Sequence, residues 1–280
     1  MKWLDWMVDL AGLFLWLGWR GFGVLPVSAR PALTLASNLR PAGRRDSHSR
    51  WALPGLLVLL FGRALVHHEF PSRFAEAAVW SPGAVAVTFR SDLMGRMLVF
   101  SFLSWLLLTL QVYLAMAVLA GLRRKAVELD PITRSLRAEL GWFGRWPAFL
   151  GTLPVLAVLA NLWAAGAGWL ADLGLIPPLR SEAHRVQQSL VVALGLLPSL
   201  KWSLVAACLL RFLLDHVYLG ASAFWDFCQV VGGRLSSWLE WLPLRIGAID
   251  LRPLVAAGAF WGAAYFLEGA IPRLFQRLPL

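Results

Sequence analysis

Lys201, Arg211, Asp215 and His216 lie within one long apolar run of a 280-residue chain. An ionisable group in such a run is costly in a bilayer. Each must be paired, reach the surface, or line a path for an ion or solute. Arg211 and Asp215 stand four residues apart on one helical face and are spaced to pair. Lys201 and Arg211 are about 15 Å apart along a helix, enough to snorkel towards opposite surfaces. Gln111 and Asn161 are candidates for a hydrogen bond between neighbouring apolar segments, a packing aid of about 0.6 kcal/mol. His67, His68 and Glu69 form the densest ligand-like group, but adjacent helical residues do not share a face. A metal or haem there needs a partner from elsewhere in the chain. Cys208 and Cys228 show neither metal nor redox spacing. With no P-loop, nucleophile elbow, HExxH or CxxC motif in the chain, no catalytic residue, cofactor or metal is expected.

The elements that position these residues follow from composition. Hydrophobic residues make up 59% and charged residues 15%, against roughly 25% charged in soluble domains. Mean hydropathy is +0.64. The class is an integral membrane protein, and the 16 tryptophans suit the headgroup level of a bilayer. The net charge of +10 lies in short loops between apolar runs. Loop arginines of this kind set orientation, so nucleic acid is not an expected partner. "MKWLDWMVDL" carries one lysine and two aspartates with no small-residue cleavage site after it, so no cleavable signal peptide is expected.

A span needs about 20 mostly apolar residues. Six are expected: 3–19, 51–66, 97–121, 148–171, 189–219 with a kink at Pro198, and 253–267. The fold class is thus all-α, with about six transmembrane helices in three hairpins and amphipathic linker helices at the interface. The segments are a hairpin with a basic linker (1–70), an external loop (71–96), a second hairpin (97–172), an external loop (173–188), a third hairpin (189–268) and a tail (269–280). Loops 20–50 and 122–147 each hold six basic residues and so face the cytoplasm. Alternation then puts linker 220–250 on that side and both termini outside. "AVAVTF" at 84–89 alternates and reads as a short external strand.

The linkers share a pattern of tryptophan and proline before the next helix: Trp51 and Pro54, Trp146 and Pro147, Trp241 and Pro243. Proline fits a first helical turn, where its missing donor is not needed. In 224–242, Phe224, Phe227, Cys228, Val231, Leu235, Trp238 and Leu242 recur at steps of three and four. They define an interfacial helix that Gly232 and Gly233 would break or bend. After it, "LPLRIGAIDLRPLV" turns the chain from lying flat to crossing. Asp250 stands where a helix N-cap belongs. Two readings stay open: a hinge and cap, or a ligand site of Arg245 and Asp250 at the membrane surface.

The stretch "GAIDLRPLV" resembles the signature of the YggT (YlmG-type) family of small bacterial and plastid membrane proteins. Gly247, Ile249, Asp250, Leu251 and Pro253 match, while Arg252 replaces a residue that is usually small. An earlier stretch, "LDPITRSL" with Pro131, resembles the family's approach to its linker. The cap after it is degenerate: "GTLPVLA" has no aspartate. The resemblance thus covers 200–268 well and 98–170 weakly, as two copies of a two-helix unit. It implies a role in organising or assembling the envelope of the bacterial inner membrane, with a membrane-protein partner or a second copy. Transport of an ion or small solute, linked to osmotic stress, is the alternative. Gly258 and Gly262 form a GxxxG face expected to pack against another span, with Phe260 and Trp261 turned away from that contact.

Overall fold

The computed structural model describes residues 2–21, 48–70, 78–122 and 131–278, apart from 177, 179, 221 and 248. The loop bases Arg30, Arg40, Arg44, Arg45, Arg123, Arg124 and Lys125, which carry the expected orientation, lie outside these residues. The helices are α1 (Lys2–Arg20), α2 (His48–Glu69), α3 (Met94–Leu122), α4 (Pro131–Leu140), α5 (Ala148–Asp172), α6 (Glu182–Leu194), α7 (Leu200–His216), α8 (Ala223–Ser236) and α9 (Arg252–Gln276). Strands β1 (Ala78–Trp80) and β2 (Val87–Phe89) pair, as do β3 (Arg245–Ile246) and β4 (Ile249–Asp250). The chain is an all-α, multi-pass membrane protein. Five helical stretches are long and apolar enough to cross a bilayer: α2, α3, α5, α6 with α7, and α9.

These five correspond to five of the expected spans. Residues 3–19 do form a helix, α1, but it is not among the five. Asp5, Asp9 and a terminal charge, Lys2 or Arg20, interrupt its apolar character. The expected kink at Pro198 is a full break: α6 ends at Leu194, a 3-10 turn covers Leu197–Ser199, and α7 follows. Proline supplies no backbone donor, so the α-helical ladder loses a bond there, and a 3-10 turn takes its place. The expected external strand is confined to Val87–Phe89.

The chain divides into two compact units, and the division runs through α3. The first unit is 1–78 with 89–109. Within it, α1 lies against α2. Leu56, Leu60 and Trp105 form a core, joined by Leu15, Trp16 and Leu106. Gly12 lets α1 approach closely: a Cβ there would lie 2.7 Å from the Trp105 ring.

The second unit is 79–88 with 110–280. A long helix, a short amphipathic helix, a 3-10 turn and a long helix follow one another in two stretches, the second with β3 and β4 before its last helix. The first set is α3, α4, Gly141–Arg145 and α5; the second is α7, α8, Ser237–Leu239 and α9. The linker helices α4 and α8 touch one another. In α4, Thr133, Leu136 and Leu140 are buried at helical spacing, and Tyr113 of α3 donates to Glu139. In α8 the buried face is Phe227, Cys228, Val231 and Leu235, while Phe224 and Trp238, expected on that face, are exposed.

Gly232 and Gly233 do not break α8. Gly232 instead meets α7, where an added Cβ would lie 2.4 Å from Arg211 Cβ and 2.6 Å from the Ala207 carbonyl oxygen. Cys228 and Cys208 are both buried and free, and burial pushes the Cys228 thiol up from its ordinary value. Both thiols are expected to resist N-ethylmaleimide at pH 7.5 in mild detergent and to react once the chain is unfolded. Prompt labelling of the native protein would contradict this packing.

Candidate functional site

The densest set of functional side chains lies in the first unit. Asp5 and Asp9 are one turn apart on α1; Arg63 and His67 are one turn apart on α2. The two helices face each other, so the pairs meet. Arg63 donates from Nε to Asp5 Oδ1 at 2.9 Å and from Nη1 to Asp9 Oδ1 at 2.6 Å. Its third nitrogen, Nη2, reaches Ser104 Oγ of α3 at 3.3 Å. Ser104 Oγ passes its own hydrogen to Asp9 Oδ2 at 2.7 Å. His67 Nε2 contacts Asp5 Oδ1 at 2.8 Å.

A planar guanidinium suits this role, because its donors leave in fixed directions towards separate acceptors. Arg63, Asp9 and His67 are buried. Phe100 closes one side: its ring centroid lies 4.9 Å from Arg63 Cζ and 5.6 Å from the His67 ring, edge to face. The cluster ties three helices together through charge-assisted hydrogen bonds, which are roughly twice as strong as neutral ones. It also sets two carboxylates and an imidazole around one fixed positive charge.

Sequence reading missed this cluster. Asp5 and Asp9 lie in the amino-terminal helix, and His67 stands beside two other ligand-like residues that turn to other faces. The available signal was the pair of i,i+4 spacings, Asp-x3-Asp and Arg-x3-His, on consecutive helices. His67 does find partners from elsewhere, in an ion cluster. His68 instead contacts the Ser91 carbonyl at 2.9 Å. Among the described residues, no group of three or more His, Cys, Asp or Glu is placed to hold a metal ion.

The residues singled out within the spans do not converge. Arg211 and Asp215 pair at 3.1 Å, as their spacing predicted. Lys201 pairs with Glu268 of α9 at 2.5 Å, a partner not foreseen. The Trp202 and Trp261 rings also flank its ammonium at 5.3 and 5.1 Å. His216 turns back to the Phe212 carbonyl on its own helix. Asn161 is exposed and donates to the Ala157 carbonyl one turn back, so it makes no bond to Gln111, which is half-buried. Polar side chains satisfied by their own helix need no partner across the bundle.

The GxxxG expectation is overturned within the chain. A Cβ at Gly258 or Gly262 would meet nothing within 4 Å. Helix α9 packs instead through Pro253, Ala256, Ala257, Ala264 and Ile271. Trp261 does not point away from the helix contact; it stacks edge to face on Trp202 of α7. Alanine is small enough to permit the close approach that glycine was expected to supply.

The stretch 245–253 is a tight turn and a cap together. Arg245 pairs with Asp250, and Ile246 with Ile249, in an antiparallel ladder. Gly247 takes φ +61°, a conformation that favours glycine. Asp250 stands one residue ahead of the N-cap, Leu251. Its Oδ1 still accepts the Arg252 backbone N–H at 3.1 Å and the Arg252 Nε at 2.9 Å, and Arg245 Nε lies 3.7 Å from Oδ2. Arg245 and Asp250 are thus engaged with each other. Burial lifts the Asp250 carboxyl, but the Arg252 amide and guanidinium, with Arg245, outweigh it and hold the group below its ordinary value.

The sign of the pH dependence follows. A lowered folded pKa contributes stability above the unfolded value, about 3.9, and loses it as pH falls through the folded value. Asp250→Asn is expected to flatten the acid side of the melting profile below about pH 4. Parallel profiles of variant and parent would show that the carboxylate contributes nothing. No family model, no curated protein and no solved structure matches this chain.

Proposed function

We propose that the protein is a YggT-type, non-enzymatic scaffold or assembly factor of the bacterial inner membrane. The observation that carries this reading is that the charged residues of α7 are closed in ion pairs, Lys201 with Glu268 and Arg211 with Asp215. Such pairs fasten α7 to α9 and α7 to itself. They leave the linker surface as the part with unspent contacts: Trp142, Trp238 and Trp241 are exposed there. The turn-and-cap geometry of Gly247, Asp250 and Pro253 gives a physical reason for the family-like spacing. The repeated order of elements supports the two-copy reading.

Purification of the full chain in mild detergent, followed by mass spectrometry, is expected to recover a stoichiometric membrane-protein partner or a homo-oligomer. Trp241→Ser with Trp142→Ser should release it. A monomer with no partner would overturn the scaffold reading.

Transport of an ion or small solute is the second reading, and the buried Asp5–Arg63–Asp9–His67 cluster is what favours it. Intramembrane carboxylates and histidines are the usual elements of proton relays. Under the scaffold reading, proteoliposomes carry no more flux than empty vesicles. Flux that disappears with Asp9→Asn or Lys201→Ala would replace scaffold with transport.

A further inference from the structure

An open groove of about 930 Å³ runs between the end of α6 and the last turns of α9. Its walls are mainly apolar, with Leu194, Leu267, Ile271 and Leu274 among them, and it ends at Arg273 and Arg277. The two arginines are four residues apart, so they share a face. Neither has an ion-pair partner among the described residues. Glu268, the acid in the groove, is already taken by Lys201 at 2.5 Å.

Depth along α9 identifies the occupant. Arg252 opens the helix and Arg273 lies 21 residues later, about 32 Å along the axis. That distance matches a hydrocarbon core of about 30 Å. With Arg252 at one surface, Arg273 and Arg277 stand at the headgroup level of the other, and the apolar wall extends below them at acyl-chain depth. Two guanidiniums on one face suit a phosphate oxygen pair, and their charge of two favours a headgroup that is itself negative.

We propose that this groove is a binding site for one anionic phospholipid, with its phosphate on Arg273 and Arg277 and an acyl chain against Leu194 and Leu267. The site stands independently of the scaffold reading. It gives the C-terminal end of α9 a fixed lipid contact in place of passive snorkelling.

The test is native mass spectrometry of the full chain, extracted in detergent and offered equal amounts of phosphatidylglycerol and phosphatidylcholine. The parent is expected to retain the anionic lipid about tenfold over the zwitterionic one, on the order expected of two interfacial arginines. Arg273→Gln with Arg277→Gln should bring the ratio to about one, and lysine at both positions should restore most of it. The melting midpoint should be unchanged in the absence of anionic lipid, because both side chains are exposed. Equal retention by the parent, or an undiminished preference in the glutamine variant, would overturn the proposal. Displacement of the lipid by excess inorganic phosphate would show a simple anion site and overturn it too.

Discussion

Arg63→Ala is expected to destabilise the first unit by about 3–5 kcal/mol, the usual effect of removing one partner from a buried ion cluster. The loss exceeds that of the broken bonds, because Asp5 and Asp9 are left facing each other without a positive charge. Arg63→Lys should recover part of it. An ammonium restores the charge but not the fork that reaches Asp5, Asp9 and Ser104 together. Adding Asp5→Asn and Asp9→Asn to Arg63→Ala should also recover stability, since the stranded charges are then gone. Urea unfolding in detergent, followed by tryptophan fluorescence, measures all four proteins. If Arg63→Ala behaves like a substitution at exposed Arg145, the cluster does not hold the unit together.

The second large effect is expected at Gly232. Leucine there must displace Arg211 Cβ and the Ala207 carbonyl, which a first carbon would already approach to 2.4 and 2.6 Å. Overpacking typically destabilises by about 1–3 kcal/mol, and backbone atoms on the far side leave little room to relax. Gly262→Leu, with nothing within 4 Å, should change stability little. Thermal unfolding in detergent ranks the two. Greater damage at Gly262 would mean that a second copy or a partner covers that face in the native protein.

Elements with a strong local signal were legible in the sequence. Apolar length marks the long helices, Pro198 marks where α6 and α7 part, though as a kink and not as a 3-10 turn, and helical spacing marks α8 and the Arg211–Asp215 pair. Contacts between distant segments were not. Nothing local marks Glu268 as the partner of Lys201, 67 residues away, or joins Asp5 to Arg63, 58 residues away. The glycines show the same limit. Gly232 and Gly262 sit in similar apolar surroundings, yet one meets a neighbour and the other meets none. Composition says that a helix is smooth; only its rotation in the bundle decides which smooth face is used. The cap falls one residue later than expected, at Leu251 and not at Asp250, because Asp250 closes a two-residue strand pair.

The separation of Lys201 from Glu268 has a consequence for how the chain is made. At roughly 5–20 residues per second, the ribosome adds Glu268 about 3–13 s after Lys201. During that interval α7 carries an unneutralised ammonium. Its 17 residues span about 26 Å, and with α6 it forms one of the five stretches long enough to cross. Arg63 faces no such wait, since Asp5 and Asp9 precede it by 58 and 54 residues. The pairs of Arg63 with Asp5 and Asp9 can therefore form as α2 emerges, whereas the charge of Lys201 is expected to wait for α9. Nascent chains arrested before Glu268 should keep α7 accessible to water-soluble reagents, and chains released beyond it should not.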